Sequence, residues 1–471
     1  MTESQIQFIN NANWWTLVKT SLKEEKFDYT RIPINKAVIL LAIPMMLETS
    51  IEALFAVVDI FFVAKLGAEA VATVGITEAI ITLLYAIGIG LSISITALIA
   101  RRIGENNHYR AAVLAGQAIV IGIVLSIVIG VSGAVFAKDV LTFIGASQHI
   151  VNDLSGYTEI MLGGSATILM LFILNGIFRG AGEPVLAMKA IWIASIINII
   201  LDPCLIFGLG PFPELGIEGA AIATTLGRAI GAIYIAYMLF SGRSRIQVSM
   251  IHLKPQFDEM FLLLRVSFGG IFQFFIATSS WIFLMKIMAE FGSHALAGYT
   301  IAIRVVEFIM MPIWGLSNSV STLVGQNLGA LNVERARKAV YAVTKYNVIL
   351  MLAVSIIFII FAENVIGIFT SDTEIILIGA ECLRILSYGF GLYGLGLAMI
   401  QAFNGAGDTM TPTWINGICF WLFQIPFAYW LSLSILEKPQ GVYWAIFIAE
   451  GLMAVTALYI FKQDKWAKRK V

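Results

Sequence analysis

Residues 225 positions apart repeat one another along this 471-residue chain. Gly67, Ala70 and Ala72 return as Gly292, Ala295 and Ala297. Leu98, Gly104, Asn107, Arg110 and Ala111 return as Leu323, Gly329, Asn332, Arg335 and Ala336, and Phe178-Arg179-Gly180-Ala181-Gly182 returns as Phe403-Asn404-Gly405-Ala406-Gly407. The offset needs no insertion, so each half must build the same string of elements. Between the landmarks the chain is 59% hydrophobic and 13% charged, against about 25% charged residues in an ordinary soluble domain. The solvent for most of this chain is lipid.

A helix that crosses the hydrocarbon needs roughly 20 apolar residues. Spans of that kind are predicted at 37–65, 70–99, 111–136, 157–178, 187–208 and 217–240, then at 261–289, 295–325, 338–361, 376–402, 411–433 and 441–462. The expected fold is therefore all-α and integral to the membrane. Twelve transmembrane helices form two parallel six-helix repeats, which become two lobes around a central cleft. The boundaries read from the sequence are an N-terminal arm 1–36, a first lobe 37–240, a connector 241–258, a second lobe 259–462 and a tail 463–471. Six is an even number, so both halves enter and leave on one face, related by an axis along the membrane normal. Arg101, Arg102, Arg110, Arg179, the connector, Arg335, Arg337, Lys338 and the tail gather on one side. Basic residues favour the cytoplasmic face, which places both termini in the cytoplasm of a cell whose inner membrane holds the protein. Trp14 and Trp15 beside Lys19 and Lys23 suit either a helix lying at the membrane surface or a disordered arm.

The duplication is broken at its polar positions. Asp59 faces Leu284, Asn175 faces Ile400, Asn198 faces Phe423 and Asp202 faces Phe427. A carboxylate inside a span costs about 3 kcal/mol by insertion scales, so Asp59 demands a wet cavity, a partner or a proton. Lys65 is the bland partner, but it stands near the end of the span. Asn198 and Asp202 are one turn apart and share a helix face, with Pro203 next in line. Thr224 and Asn175 add neutral oxygens. Two carboxylates, amides and a hydroxyl suit a hard cation such as Na+, and equally a proton shared between acids. Glu48 and Glu52 fall on the Asp59 stripe of the first span and would favour a cationic passenger, and Pro44 kinks or starts that helix. In the second half, Arg304 with Glu307, Glu381 with Arg384, and Lys286 with Glu290 are helical pairs of opposite sign that can neutralise themselves.

Several functions lack the residues they need. Neither Gly-Ala-Gly turn has the Lys-Ser/Thr of a phosphate loop, the net charge of zero gives no sign of nucleic-acid binding, and Cys204, Cys382 and Cys419 lack metal-ligand spacing. No nucleophile or metal cluster points to an enzyme.

The ordered set Val58-Asp59…Lys65-Leu66-Gly67, Gly104/Gly329, Phe-Arg-Gly-Ala-Gly-Glu-Pro at 178–184, Asn198-Ile-Ile-Leu-Asp202-Pro203 and Gly219-Ala-Ala-Ile-Ala-Thr224 resembles the multidrug and toxic compound extrusion family. It is closer to the branch whose cation site lies in the N-terminal lobe. The resemblance implies that Asp59, Asn198, Asp202 and Thr224 couple Na+ or H+, with Na+ as their metal if sodium is used, and that Asn175 lines the same pocket. Glu48 and Glu52 depart from the pattern and, with Asn175, are assigned to the substrate cleft. The expected activity is export of cationic and amphipathic drugs by alternating access, without a cofactor, from a monomer in the bilayer. A flippase of lipid-linked precursors is the alternative, though it would require unpaired basic residues in the cleft.

Overall fold

In a computed structural model, residues 3–469 are described; Met1, Thr2, Lys470 and Val471, the extremities of the arm and tail, lie outside them. The first six spans are Ile34–Leu66, Ala68–Gly104, His108–Val135, Ser155–Ala181, Pro184–Phe207 and Gly216–Phe240. The next five helical segments run Phe257–Ala289, Ser293–Gly329, Val333–Gly367, Thr373–Tyr388 and Phe390–Gly405, followed by Met410–Ile435 and Gln440–Phe461. Thr373–Tyr388 and Phe390–Gly405 together make span 10, bent by 56° at Gly389, where the sequence reads one continuous helix. Span 4 is likewise divided, at Gly164, the duplicate of Gly389. Span 2 has 37 residues, about 55 Å at 1.5 Å per residue, and so extends well beyond the ~30 Å hydrocarbon layer.

The repeated landmarks do the same local work twice. Asn107 accepts from the Arg110 amide at 3.0 Å and Asn332 from the Arg335 amide at 3.0 Å, capping spans 3 and 9. Such a cap satisfies an amide that the first helical turn leaves unpaired. Gly182 and Gly407 hold φ of +78° and +79°, the left-handed conformation that lets a chain reverse after a helix.

Four buried apolar clusters define the architecture. Near the basic end of the bundle, where spans 2 and 8 finish at Gly104 and Gly329, both clusters mix the two halves of the sequence. One joins Ala37–Met45 of span 1 and the arm residues Ile9, Leu17 and Tyr29 to Leu316, Phe403 and Trp466. The other joins Leu263 of span 7 to Leu91, Ile177 and Leu239. Toward the opposite end one cluster lies wholly in the first half and the other wholly in the second. The lobes are thus fastened at the basic end and enclose a cleft toward the other. Spans 1 and 7 each root one end in the opposite lobe, so the packing boundaries differ from a division at the connector.

Lipid tails are as apolar as leucine, so helices associate in membranes through close packing. A Cβ added to Gly104 would stand 2.0 Å from the Gln326 carbonyl oxygen, and one added to Gly329 would stand 2.1 Å from that of Arg101. These duplicate glycines let spans 2 and 8 cross backbone to backbone. Ser94 and Ser267 add a 2.6 Å hydrogen bond between spans 2 and 7. The arm is helical at Glu3–Asn11 and Trp14–Ser21. It buries Leu17 and leaves Trp15 71% exposed.

Candidate functional site

The seam between spans 5 and 6 is unusually close because Gly219, Gly227 and Gly231 line it. Added Cβ atoms there would meet the carbonyl oxygens of Leu205, Ala194 and Ala190 at 2.4, 2.6 and 2.7 Å. That approach brings Thr224 to Asn198. The Asn198 amide donates to Asp202 Oδ1 at 3.1 Å and to Thr224 Oγ1 at 3.0 Å. With both protons of the amide used, its oxygen is left without a donor. Asn198 Oδ1 and Asp202 Oδ2 are buried acceptors with no partner, and so is Asp59 Oδ1. Asp202 is 0% and Asn198 2% exposed. Span 1 packs along span 5, and the two aspartates lie within electrostatic reach of each other. A group of buried oxygens, two of them on carboxylates, lacks the positive charge or proton that would satisfy it.

Asn175 and Glu48 gather elsewhere. The Asn175 amide donates to Glu48 Oε1 at 3.2 Å, and Arg179 forms a short ion pair with the same oxygen. Glu48 is 1% exposed, so it is a buried, paired acid. Arg179, counted from the sequence among the basic residues of one side, closes span 4 inside the lobe, and its carbonyl accepts from Thr322 of span 8 at 2.9 Å. Asn175 makes no hydrogen bond with Asp59, Asn198, Asp202 or Thr224.

Among the described residues the Glu52 side chain has neither a hydrogen bond nor an ion pair. It acts electrostatically on Arg179 and Arg228. Arg228 of span 6 and Glu78 of span 2 were not singled out in the sequence, although both are charges inside apolar spans and Arg228 stands one turn beyond Thr224. Arg228 donates to the Tyr85 hydroxyl at 2.8 Å and lies within electrostatic reach of Glu78, Glu52 and Tyr157. Arg304 of span 8 acts on Glu78 from the second lobe. Lys65 packs its ammonium over the Phe61 ring at 4.6 Å, away from Asp59.

The second lobe fills the equivalent positions with hydrocarbon. Leu284 and Ile400 are buried, Phe423 and Phe427 stack, and Ala449 occupies the place of Thr224. None of its three expected helical charge pairs forms an ion pair within its helix among the described residues. Arg384 pairs with Glu363 of span 9 at 2.9 Å, while Glu381 accepts from Gln440 at 2.7 Å. Arg304 and Glu307 interact only at longer range, and Lys286 and Glu290 form no ion pair among the described residues. Glu450, also passed over in the sequence, has a buried oxygen without a partner.

The family model described as MatE matches residues 44–204 and again 270–430, once in each half. A probable multidrug resistance protein NorM of Thermotoga maritima is 29% identical over 465 residues, covering 97% of each chain. An FAD transporter of Shewanella oneidensis is 24% identical, covering 91% of this chain and 94% of its own. Among solved structures, a MATE protein in complex with MaL6 superposes with a TM-score of 0.89 at 26% identity, covering 95% of this chain and 100% of that one. Twelve spans in two lobes, a duplicated helix crossing and a matching family model in both halves lead to one assignment: the chain belongs to the MatE family of membrane transporters, which are not enzymes.

Proposed function

We propose that the chain is a secondary multidrug exporter that exchanges amphipathic organic compounds for Na+ or H+. The observation that carries this reading is the set of buried, donor-free oxygens on Asp59, Asn198 and Asp202. A coupling ion held by Asp59, Asn198, Asp202 and Thr224 would supply the missing charge. Without it, two carboxylates in a low-dielectric lobe repel each other. Ion occupancy therefore changes which arrangement of the lobes is favoured, and a ligand shifts such an equilibrium only through its differential affinity for the two states. The basic end is the cytoplasmic end on this reading, so the cleft faces outward, and the protein works as a monomer in the cell membrane. The names of the T. maritima and S. oneidensis relatives, multidrug resistance protein and FAD transporter, support export of organic compounds that carry aromatic systems.

The test is efflux of a fluorescent drug in inside-out vesicles under a Na+ gradient and a proton gradient applied separately. Uptake driven by one gradient and lost in Asp202→Asn supports the reading. Uptake driven by neither, from vesicles with normal expression, would overturn it.

A further inference from the structure

The first lobe contains two arginines that do different jobs. Arg179 makes direct contact with a buried acid, Glu48, as a structural counter-ion must if the cost of burying both charges is to be offset. Arg228 does not. Among the described residues no carboxylate is within ion-pair distance of it, and its one hydrogen bond goes to Tyr85. A guanidinium has five N–H donors. None of the Arg228 nitrogens is both buried and unpartnered, so the remaining donors face open space. The guanidinium carbon lies 5.9 Å from the ring centroids of both Phe55 and Tyr85.

Glu52 and Glu78 complete the setting. Among the described residues neither side chain makes a hydrogen bond or an ion pair, and neither has a buried orphan oxygen, so their carboxylates also face open space. Both act on Arg228 electrostatically without occupying its fork. The lobe thus presents a planar bidentate donor beside two aromatic rings, with two free carboxylates nearby. A guanidinium fork matches a carboxylate geometrically, and flanking rings suit a flat ligand. A ligand bearing only negative charge would be repelled by the two acids. One that also carries an ammonium would satisfy both signs.

We propose that Arg228 is a specificity-determining residue that takes the carboxylate of a zwitterionic aromatic substrate, while Glu52 and Glu78 hold its cationic end. This rests on the exporter reading and narrows its substrate class. Equilibrium binding to the purified full-length protein, without any ion gradient, tests it with a matched pair of dyes: the zwitterion rhodamine 110 and its methyl ester rhodamine 123. Arg228→Gln should raise the Kd for the zwitterion about tenfold or more, as expected for losing a charge-assisted hydrogen bond, and leave the ester unchanged or bound more tightly. Arg228→Lys keeps the charge but not the fork, so the ratio of the two Kd values should still move toward the ester. That variant decides the matter if Arg228→Gln does not yield folded protein. An unmoved ratio, or equal loss for both dyes, overturns the role of Arg228 and leaves the exporter reading standing. Failure of the wild type to bind either dye overturns both.

Discussion

Asn198 with Asp202 in span 5, and Phe423 with Phe427 in span 11, occupy the same two positions of a duplicated helix. The first pair is joined by a 3.1 Å hydrogen bond. The second is joined by two stacked rings, 5.0 Å apart at 18°. Around the first pair the helices close up on three glycines of span 6. The equivalents in span 12 of Gly219, Gly227 and Gly231 are Trp444, Leu452 and Thr456, and spans 11 and 12 approach closely at a different place, Gly441, where an added Cβ would stand 2.4 Å from Ser432 Cα. Three glycines hold the seam beside the polar pair in one lobe, and stacked aromatic rings replace that pair in the other. The contrast shows how one scaffold tolerates opposite interiors: each lobe reaches packing density by a different route.

The largest effect expected from breaking this asymmetry is at the acids. Asp59→Asn and Asp202→Asn should each reduce ion-driven efflux to the level of membranes lacking the protein, with normal expression and insertion. Leu284→Asn, on the matching face of span 7, should leave the Na+ and pH dependence of transport unshifted. A changed ion dependence in that variant would mean that coupling is spread over both lobes. Next come the duplicate glycines. Gly104→Ala and Gly329→Ala each push a methyl into a carbonyl oxygen, an overpacking cost of about 1–3 kcal/mol. Spin-label distances across spans 2 and 8 should lengthen by similar amounts in both, and a response in only one would show that the crossing is functionally one-sided.

A smaller change is expected from Thr224→Ala, which removes an acceptor of the Asn198 amide and should weaken the coupling ion about tenfold. The converse Ala449→Thr should create no ion dependence. Glu52→Gln should weaken a permanent cation such as ethidium by about one decade and a neutral drug much less; equal loss of both would count against charge selection there. Smallest is Phe427→Leu, which gives up a ring stack and about 1 kcal/mol of stability. Thermal unfolding should record that loss, while the ion dependence of transport stays as it was.

The duplication, the twelve spans and the shared face of Asn198 and Asp202 were legible because each depends on local spacing. Helical period places Asn198 and Asp202 on one face whatever surrounds them. Partners on other helices were not legible. Asn175 was grouped with Asp202, yet it bonds Glu48, since the choice depends on how span 4 lies against spans 1 and 5. Arg384 had Glu381 one turn away and chose Glu363 of span 9. Arg179 was counted with the basic residues of one side, and only its burial against Glu48 identifies it as an interior charge. Arg228 left a signal that went unused: an arginine at i+4 from Thr224 shares its helix face.

Span 1 has one foot in each lobe. Its stretch from Ala37 to Met45 is buried among Leu316, Val320 and Phe403 of the second lobe, while Val63 is anchored among Tyr157, Ile206 and Ala220 of the first. In mechanical terms it is a beam clamped at one end and loaded at the other, with Asp59 near the loaded end. Pro44, near the edge of the clamp, lacks an amide and clashes with the preceding turn, so stiffness is lowest there. On the exporter reading proposed above, a force generated at Asp59 would reach the second lobe along the beam itself, without first prying apart the glycine crossing. On that reading, the lobe with Leu284 and Phe427 can be moved by the lobe with Asp59 and Asp202.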